Sequence, residues 1–379
     1  MKATAPAADP STPESRRIRF IDMARAVAIL LMLEGHFIQV LLDARWHVRG
    51  QPFYETWLHI RGLAAPMFFT TTGLIFAYLL AKSPIDRPLL EVTRVRRGLM
   101  RVPMLLGWGY LLQLNLRYPP HWPLPHDSWL LGFHVLQCIA VGLLLMIGVH
   151  AVLRRMDGRL TIAAFCLLGV GTFLFAVVAD QRDGWMPAEA PSLIQNAIKG
   201  PRSHFPVMPW LGFTFYGAAL GTWTGLRQRH GRPMPHPAAL IGTGAVLTGI
   251  GWHADQAAGR ALLEWLGHQG DPRLTSCFFH SRLGEALLLI GLLAAIERFT
   301  RIPTARFETI GRHTLVLYVA HVILLYGGIT GLGLQEIPLR LNPWQAVLGA
   351  LLFCGLFAIG AQWIEPLLRR YRALATPNH

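Results

Sequence analysis

The stretch FIDMARAVAILLMLEGHFIQVLLD, residues 20–43, indicates both the fold and a first candidate site. Its length suits a helix that crosses a lipid bilayer, which needs about 20 predominantly apolar residues. Apart from Asp43 at its end, its ionisable residues are Asp22, Arg25, Glu34 and His36. Because such side chains are costly in a bilayer, each of them is a candidate for function. We predict a membrane helix over 23–42 that carries part of a functional site.

The composition places the whole chain among membrane proteins. Apolar residues make up 53% of the 379 residues, charged residues make up 15%, and the mean hydropathy is +0.37. Typical soluble domains contain about 45–50% apolar and about 25% charged residues. The composition therefore excludes an ordinary soluble enzyme and a disordered chain. Four cysteines are too few for a disulfide scaffold.

Apolar segments of spanning length recur along the chain, which predicts an all-α, polytopic integral membrane bundle of about ten transmembrane helices. The predicted spans are 23–42, 61–81, 99–116, 129–150, 160–179, 206–226, 238–254, 277–297, 311–331 and 344–366. The amphipathic segment 258–267 is expected to lie on the membrane surface. We expect one transmembrane domain over 18–372, a disordered cytoplasmic tail over 1–17 and a short tail over 373–379.

The positive charge reports orientation in the membrane. The chain has 35 lysines and arginines against 21 acidic residues, a formal net charge of +14. When the N-terminus is placed in the cytoplasm and the spans alternate, every cytoplasmic segment is basic, as the positive-inside rule requires. Both termini are therefore expected to be cytoplasmic, and nucleic acid is not expected as a partner. The composition, rich in Ala, Arg and Pro, favours a bacterial inner membrane.

Helical geometry places Arg25 and His36 on one stripe of the first span. They are eleven residues apart, which corresponds to about 20° in azimuth and about 16 Å along an α-helix. Asp22 lies near the same line and also suits the N-terminal helix dipole. One interpretation is a functional stripe in which a neutral imidazole accepts a proton. The other is structural, with both side chains satisfied by neighbouring helices and Asp22 pairing with Arg25.

Three further patterns lead to predictions. The segment TRVRRGLMR, residues 93–101, either anchors the chain to anionic lipid or binds the phosphates of a cytosolic nucleotide cofactor. The stripe GAALGTWTG, residues 217–225, predicts close helix packing. The 16 histidines show no metal-binding spacing, so no metal site is expected. Glu34 is expected to pair with Arg282 or with another span.

Several blocks of the chain, in order, resemble the heparan-α-glucosaminide N-acetyltransferase catalytic-domain family. They are RIRFIDMARAVAILLMLEGHF (17–37), RGLAAPMFFTTTGLIFA (61–77), LLGFHVLQCIAVGLLL (130–145), FPVMPWLGFTFYGAALG (205–221) and IGRHTLVLYVAHVILLYG (310–327). The wider acyltransferase-3 membrane family shares the Arg-x10-His spacing of Arg25 and His36. The resemblance implies transfer of an acetyl group from cytoplasmic acetyl-CoA to an extracytoplasmic amine or hydroxyl, typically on a sugar or glycan. A homo-oligomer is compatible with it.

The resemblance also implies roles for individual residues. His36, with His47 as the second candidate, would act as general base or carry the acetyl group transiently. The residues implied in binding acyl-CoA are Arg25, Arg94, Arg96 and Arg97, and those implied in lining the cavity are Asp22, Gln137, Trp210 and His321. The acidic residue expected shortly before Pro66 is absent, which weakens the case for a heparan-type substrate. A secondary transporter is the alternative from another class, although the chain lacks the internal repeats typical of transporters.

Overall fold

The computed structural model is all-helical over the residues that the structure describes, which are 18–117, 129–181, 186–187, 190–200, 202–254, 264 and 276–375. The α-helices are α1 (Arg19–Leu41), α2 (Pro52–Arg61), α3 (Ala64–Ala81), α4 (Thr93–Gln113), α5 (Val135–Leu153), α6 (Gly158–Gln181), α7 (Ser192–Lys199), α8 (Val207–Arg229), α9 (Pro237–Ala254), α10 (Ser276–Phe299), α11 (Ala305–Arg312), α12 (Thr314–Tyr326) and α13 (Pro343–Ala375). The predicted tail 1–17 and nearly all of the predicted amphipathic segment 258–267 lie outside the described residues.

Each of the ten predicted spans coincides with a helix, but the count of ten membrane spans is not established. Within the described residues, six helical segments are long and apolar enough to cross a membrane. A seventh is possible if α11 and α12, which are bent by 67° at their junction, form one broken span. The helix α4 is not among these six segments because its first turns carry several arginines. The predicted span over 99–116 began after most of these arginines. The spanning segment predicted over 61–81 is longer, since α2 and α3 together form an apolar stretch over Pro52–Ala81.

The glycine stripe of α8 packs against the backbone of α3, as its sequence predicts. A Cβ atom at Gly217 would lie 2.1 Å from the carbonyl oxygen of Thr70, and one at Gly221 would lie 2.1 Å from that of Leu74. Only hydrogen side chains allow two helices to approach this closely. This contact fixes α8 against α3, and α3 in turn packs against α1.

The first helix lies at the centre of the bundle, in contact with α3, α10, α11, α12 and α13. Small side chains permit this, because Ala24, Ala26 and Ala28 are completely buried. At its start, Gly311 of α11 packs directly on the carbonyl oxygen of Asp22. Both α11 and α12 are thereby held along the face of α1 that carries the ionisable residues.

Of the two alternatives predicted for Glu34, the structure shows a partner from another spanning segment, Pro52–Ala81, and not Arg282. The indole Nε1 of Trp57, on α2, donates a hydrogen bond of 2.7 Å to Glu34. Arg282 is buried and pairs with Glu285 at 2.5 Å, and it also donates to the carbonyl oxygen of His59 at 2.7 Å. A carboxylate three residues along the same helix is within reach without any rearrangement, so it takes the guanidinium.

Candidate active site

A cavity of about 400 Å³ lies between α1, α3, α4, α5 and the start of α12. Five guanidinium groups line it, and they come from three separate parts of the chain. They belong to Arg25, Arg94, Arg97, Arg101 and Arg312. Much of the remaining wall is apolar, with Phe68, Ile75, Phe76, Leu136, Ile139 and Leu143 among its residues. The cavity thus combines strong positive charge with a surface suited to an uncharged chain.

The helical repeat of α4 decides which of its arginines enter the cavity. Arg94, Arg97 and Arg101 are spaced three and four residues apart, so they share one face. Arg96 falls on another face and does not line this cavity. Of the arginines implied in donor binding, Arg25, Arg94 and Arg97 therefore meet in one place, and Arg96 lies apart from them.

The side chain of Arg25 is held between two helices. Its Nη2 donates a hydrogen bond of 2.6 Å to Thr314 Oγ1 of α12, and its Nη1 lies 3.9 Å from a carboxylate oxygen of Asp22. Asp22 itself does not line the cavity. This carboxylate therefore steadies the guanidinium instead of presenting a negative charge to the cavity.

The arginines of α4 repel one another. Burial, followed by the positive charges of Arg97 and Arg101, lowers the pKa of Arg94 from its ordinary value. In addition, Arg312 Nε and His313 Nε2 are buried and have no hydrogen-bond partner among the described residues, although both residues line the cavity. An anionic ligand would relieve the repulsion and satisfy these nitrogens.

A pair of histidines lies beyond the inner wall of the cavity. His36 Nδ1 is 3.0 Å from His321 Nε2, and the two rings are stacked with centroids 5.2 Å apart. His321 is completely buried, and its Nδ1 lies 3.1 Å from the carbonyl oxygen of Leu317. Tyr318 connects the two regions, because it lines the cavity and its ring centroid lies 5.3 Å from that of His321. The order is therefore arginines, Tyr318, His321 and His36.

Aromatic and cationic groups surround the other side of His36. The ring of Tyr326 meets it edge-on at 5.5 Å. The side chain of Arg61 packs against the backbone at Gly35, and its guanidinium lies over the ring of Trp57 at 5.3 Å. This environment leaves His36 partly buried, with polar groups near it.

The second histidine candidate, His47, directly follows the short 3-10 helix Ala44–Trp46 after α1. Its ring stacks on Tyr54 with centroids 5.7 Å apart, and its Nε2 is buried without a hydrogen-bond partner among the described residues. Its role as an alternative base stays a prediction.

The two remaining candidates lie away from the arginine cavity as the structure describes it. Gln137 is completely buried and donates a hydrogen bond of 3.0 Å to Gln113 of α4. Trp210 packs in an aromatic cluster with Phe69 and Phe205, at centroid distances of 5.7 and 4.8 Å. In the described part of the chain, no three His, Cys, Asp or Glu side chains are grouped so that they could hold a metal ion.

Sequence reasoning missed three residues of the site. Arg101 lies at the end of the basic segment 93–101, and its spacing from Arg94 and Arg97 is a usable signal. Arg312 and Tyr318 both lie in the predicted span 311–331 and are not among the predicted site residues. The positions of Arg312 and Tyr318 at the cavity depend on the bend between α11 and α12, for which the sequence gives no clear signal.

Comparison with known proteins supports the resemblance. The model of the family described as "Heparan-alpha-glucosaminide N-acetyltransferase, catalytic" matches residues 17–255. A search of curated proteins finds no match. The matched range contains His36 and the arginines of α1 and α4, whereas Arg312, Tyr318 and His321 follow it. Since the family model covers more than half of the chain and the fold is an all-helical bundle with several membrane-spanning helices, the protein belongs to the heparan-α-glucosaminide N-acetyltransferase catalytic-domain family.

Proposed function

We propose that this protein is an integral membrane acetyltransferase that moves an acetyl group from cytoplasmic acetyl-CoA to an amine or hydroxyl on the opposite side of the membrane. The observation that carries the proposal is the continuity from the arginine cavity through Tyr318 to the histidine pair. A sugar or glycan is the acceptor class that the family favours. A bacterial inner membrane is the setting that the composition favours.

The arginine cavity suits the donor. Arginine binds phosphate through paired, charge-assisted hydrogen bonds, and Arg25, Arg94, Arg97, Arg101 and Arg312 together supply such groups around one space. Arg312 Nε, which has no hydrogen-bond partner in the part of the chain that the structure describes, fits the same interpretation. The apolar wall suits the uncharged arm of coenzyme A.

The distance between charge and base suits a long, thin donor. Arg25 and His36 are eleven residues apart on one continuous helix, which is about 16 Å. Arg25 contacts Thr314 and His36 contacts His321, both on α12. The guanidinium of Arg25 and the imidazole of His36 therefore both lie at the interface between α1 and α12.

In this proposal His36 is the general base. Acetyl-CoA supplies the acetyl group as a thioester. A neutral imidazole at His36 accepts a proton from the acceptor while the acceptor's nitrogen or oxygen bonds to the acetyl carbon and the carbon–sulfur bond breaks. The proton then leaves His36 for the thiolate. Transient attachment of the acetyl group to His36 would use the same residues, so the proposal covers both routes.

A hydroxyl acceptor is the second candidate. The Arg25 and His36 spacing is shared with the acyltransferase-3 family, and Leu63, Ala64 and Ala65 stand where the heparan-type pattern has an acidic residue. Comparison of amino-sugar and hydroxyl-only acceptors in a transfer assay separates N- from O-acetylation.

Binding of acetyl-CoA to the detergent-purified protein, measured by calorimetry, tests the donor site. We expect specific binding that weakens about tenfold or more in Arg97→Ala, because one charge-assisted contact contributes roughly 1.5–3 kcal/mol. Arg96→Ala is the matched control, since Arg96 is a neighbour that does not line the cavity. Equal effects of the two substitutions, or no binding by folded protein at millimolar acetyl-CoA, would refute the donor assignment and favour another acyl donor or a transporter.

A further inference from the structure

The hydrogen bonds of the histidine pair determine which nitrogen of each ring carries a proton. His321 Nδ1 lies 3.1 Å from the carbonyl oxygen of Leu317. A carbonyl oxygen can only accept a hydrogen bond, so His321 Nδ1 must be the donor. A neutral imidazole has one N–H group, and His321 Nε2 therefore carries a lone pair.

The same argument passes to the next ring. His36 Nδ1 lies 3.0 Å from His321 Nε2. Because His321 Nε2 accepts, His36 Nδ1 must donate, and in neutral His36 the lone pair is then on Nε2. The two hydrogen bonds run from His36 to His321 and from His321 to the carbonyl oxygen of Leu317. This oxygen belongs to the backbone of α12 and cannot become a donor, so the direction of both bonds is fixed.

We infer that His321 is a positioning residue that holds His36 in the tautomer whose Nε2 is the basic nitrogen. The role in catalysis rests on the function proposed above, whereas the tautomers of the two rings do not. When one ring nitrogen of a catalytic histidine faces the substrate, a hydrogen bond to the other ring nitrogen fixes the tautomer and the orientation of the ring.

The arrangement also stabilises the protonated intermediate state of His36. When Nε2 takes a proton, the bond from Nδ1–H to His321 Nε2 becomes charge-assisted and strengthens. His321 stays neutral throughout and keeps its own bond to Leu317. The proton on His36 Nε2 is the one that later leaves, so no proton is gained or lost by the pair over a full reaction.

Packing holds both rings in this geometry. His321 is completely buried, stacks on His36 and meets the ring of Tyr318 edge-on. Tyr326 meets His36 edge-on from another side. A 180° flip of either ring would keep the stack but would replace the hydrogen-bonding nitrogen by a carbon, so the hydrogen bonds determine the tautomers within this packing.

Nitrogen-15 NMR of protein labelled in histidine tests the tautomers directly, with signals assigned from the spectra of His36→Gln and His321→Gln. We expect both His36 and His321 in the Nδ1–H form in the unsubstituted protein. An Nε2–H tautomer at either residue would overturn the inference. This measurement needs no acetyl transfer, so it distinguishes failure of the inference from failure of the proposed function.

Kinetics of substituted proteins test the positioning role. His321→Leu removes the acceptor. We expect a roughly 10- to 100-fold lower kcat, the usual effect of losing a partner that orients a functional histidine, with acetyl-CoA binding unchanged and His36 no longer held in one tautomer. His321→Gln restores an acceptor oxygen and is expected to recover part of kcat. The control is His280→Gln. His280 lies away from the site, with its Nε2 2.7 Å from the hydroxyl of Tyr216, and this variant should retain full activity. Equal losses in the Gln and Leu variants, with the tautomer of His36 unchanged, would overturn the positioning role.

Discussion

His36 and His321 form a hydrogen bond of 3.0 Å between positions 285 residues apart in the chain. The bond connects α1 with α12, the same two helices that Arg25 and Thr314 connect about three turns away at 2.6 Å. The family model ends at residue 255, so half of this histidine pair comes from a segment beyond the match. The candidate site is therefore a product of the whole bundle, and its parts can be tested separately.

Substitution of His36 tests the base. In His36→Ala we expect transfer to fall by about 10²- to 10⁴-fold, the usual contribution of a general base, while acetyl-CoA binding is retained because the arginine cavity is intact. The matched variant His47→Ala should keep most of its activity. A retained rate in His36→Ala together with a lost rate in His47→Ala would move the base to His47. Acetyl transfer measured with radiolabelled acetyl-CoA gives both rates.

Substitution of Arg312 tests the part of the cavity that lies beyond the family match. Arg312 lines the cavity, and its buried Nε has no hydrogen-bond partner among the residues described, so Arg312→Gln should weaken acetyl-CoA binding about tenfold. Arg306→Gln, on the same helix at an exposed residue, is the control. Calorimetric titration of both variants checks this, and equal affinities would remove Arg312 from the donor site.

The glycine contact between α3 and α8 predicts an effect on stability. In Gly221→Ala the new methyl group would meet the carbonyl oxygen of Leu74 at 2.1 Å, so the helices must separate, at a cost of about 1–3 kcal/mol. Gly148→Ala, on α5, has no neighbouring atom within 4 Å and should leave stability equal or slightly higher. Thermal melting in detergent compares the two, and an unchanged melting temperature in Gly221→Ala would contradict the observed packing.

The ion pair on α10, in which Arg282 is buried and Glu285 is partly buried, predicts a larger loss. In Glu285→Gln the guanidinium of Arg282 would lose its carboxylate at 2.5 Å while remaining buried, and removal of one partner from such a pair costs about 3–5 kcal/mol. Glu336→Gln, at an exposed residue, should have no measurable effect. Equal melting temperatures for the two variants would show that Arg282 finds another partner.

Much of the helical fold could be predicted from hydrophobic periodicity and composition. Each predicted apolar run coincides with a helix, whereas the shorter helices α2, α7 and α11 were not predicted. The glycine spacing on α8 predicted close helix packing, and the structure identifies α3 as the partner. Whether every helix crosses the membrane did not follow from the same patterns. The arginines of α4 make one helix too polar for a simple span, and the bend of 67° between α11 and α12 interrupts another.

The sequence by itself determined that Arg25 and His36 share one stripe, because a regular helix leaves no other possibility for residues eleven apart. It also determined that Arg94, Arg97 and Arg101 share a face. Only the tertiary structure decided what these stripes face. The contact of His36 with His321, and the cavity that the α4 arginines share with Arg312, depend on how distant helices pack and bend. That packing is set by interactions spread over the whole bundle and cannot be read from any local pattern.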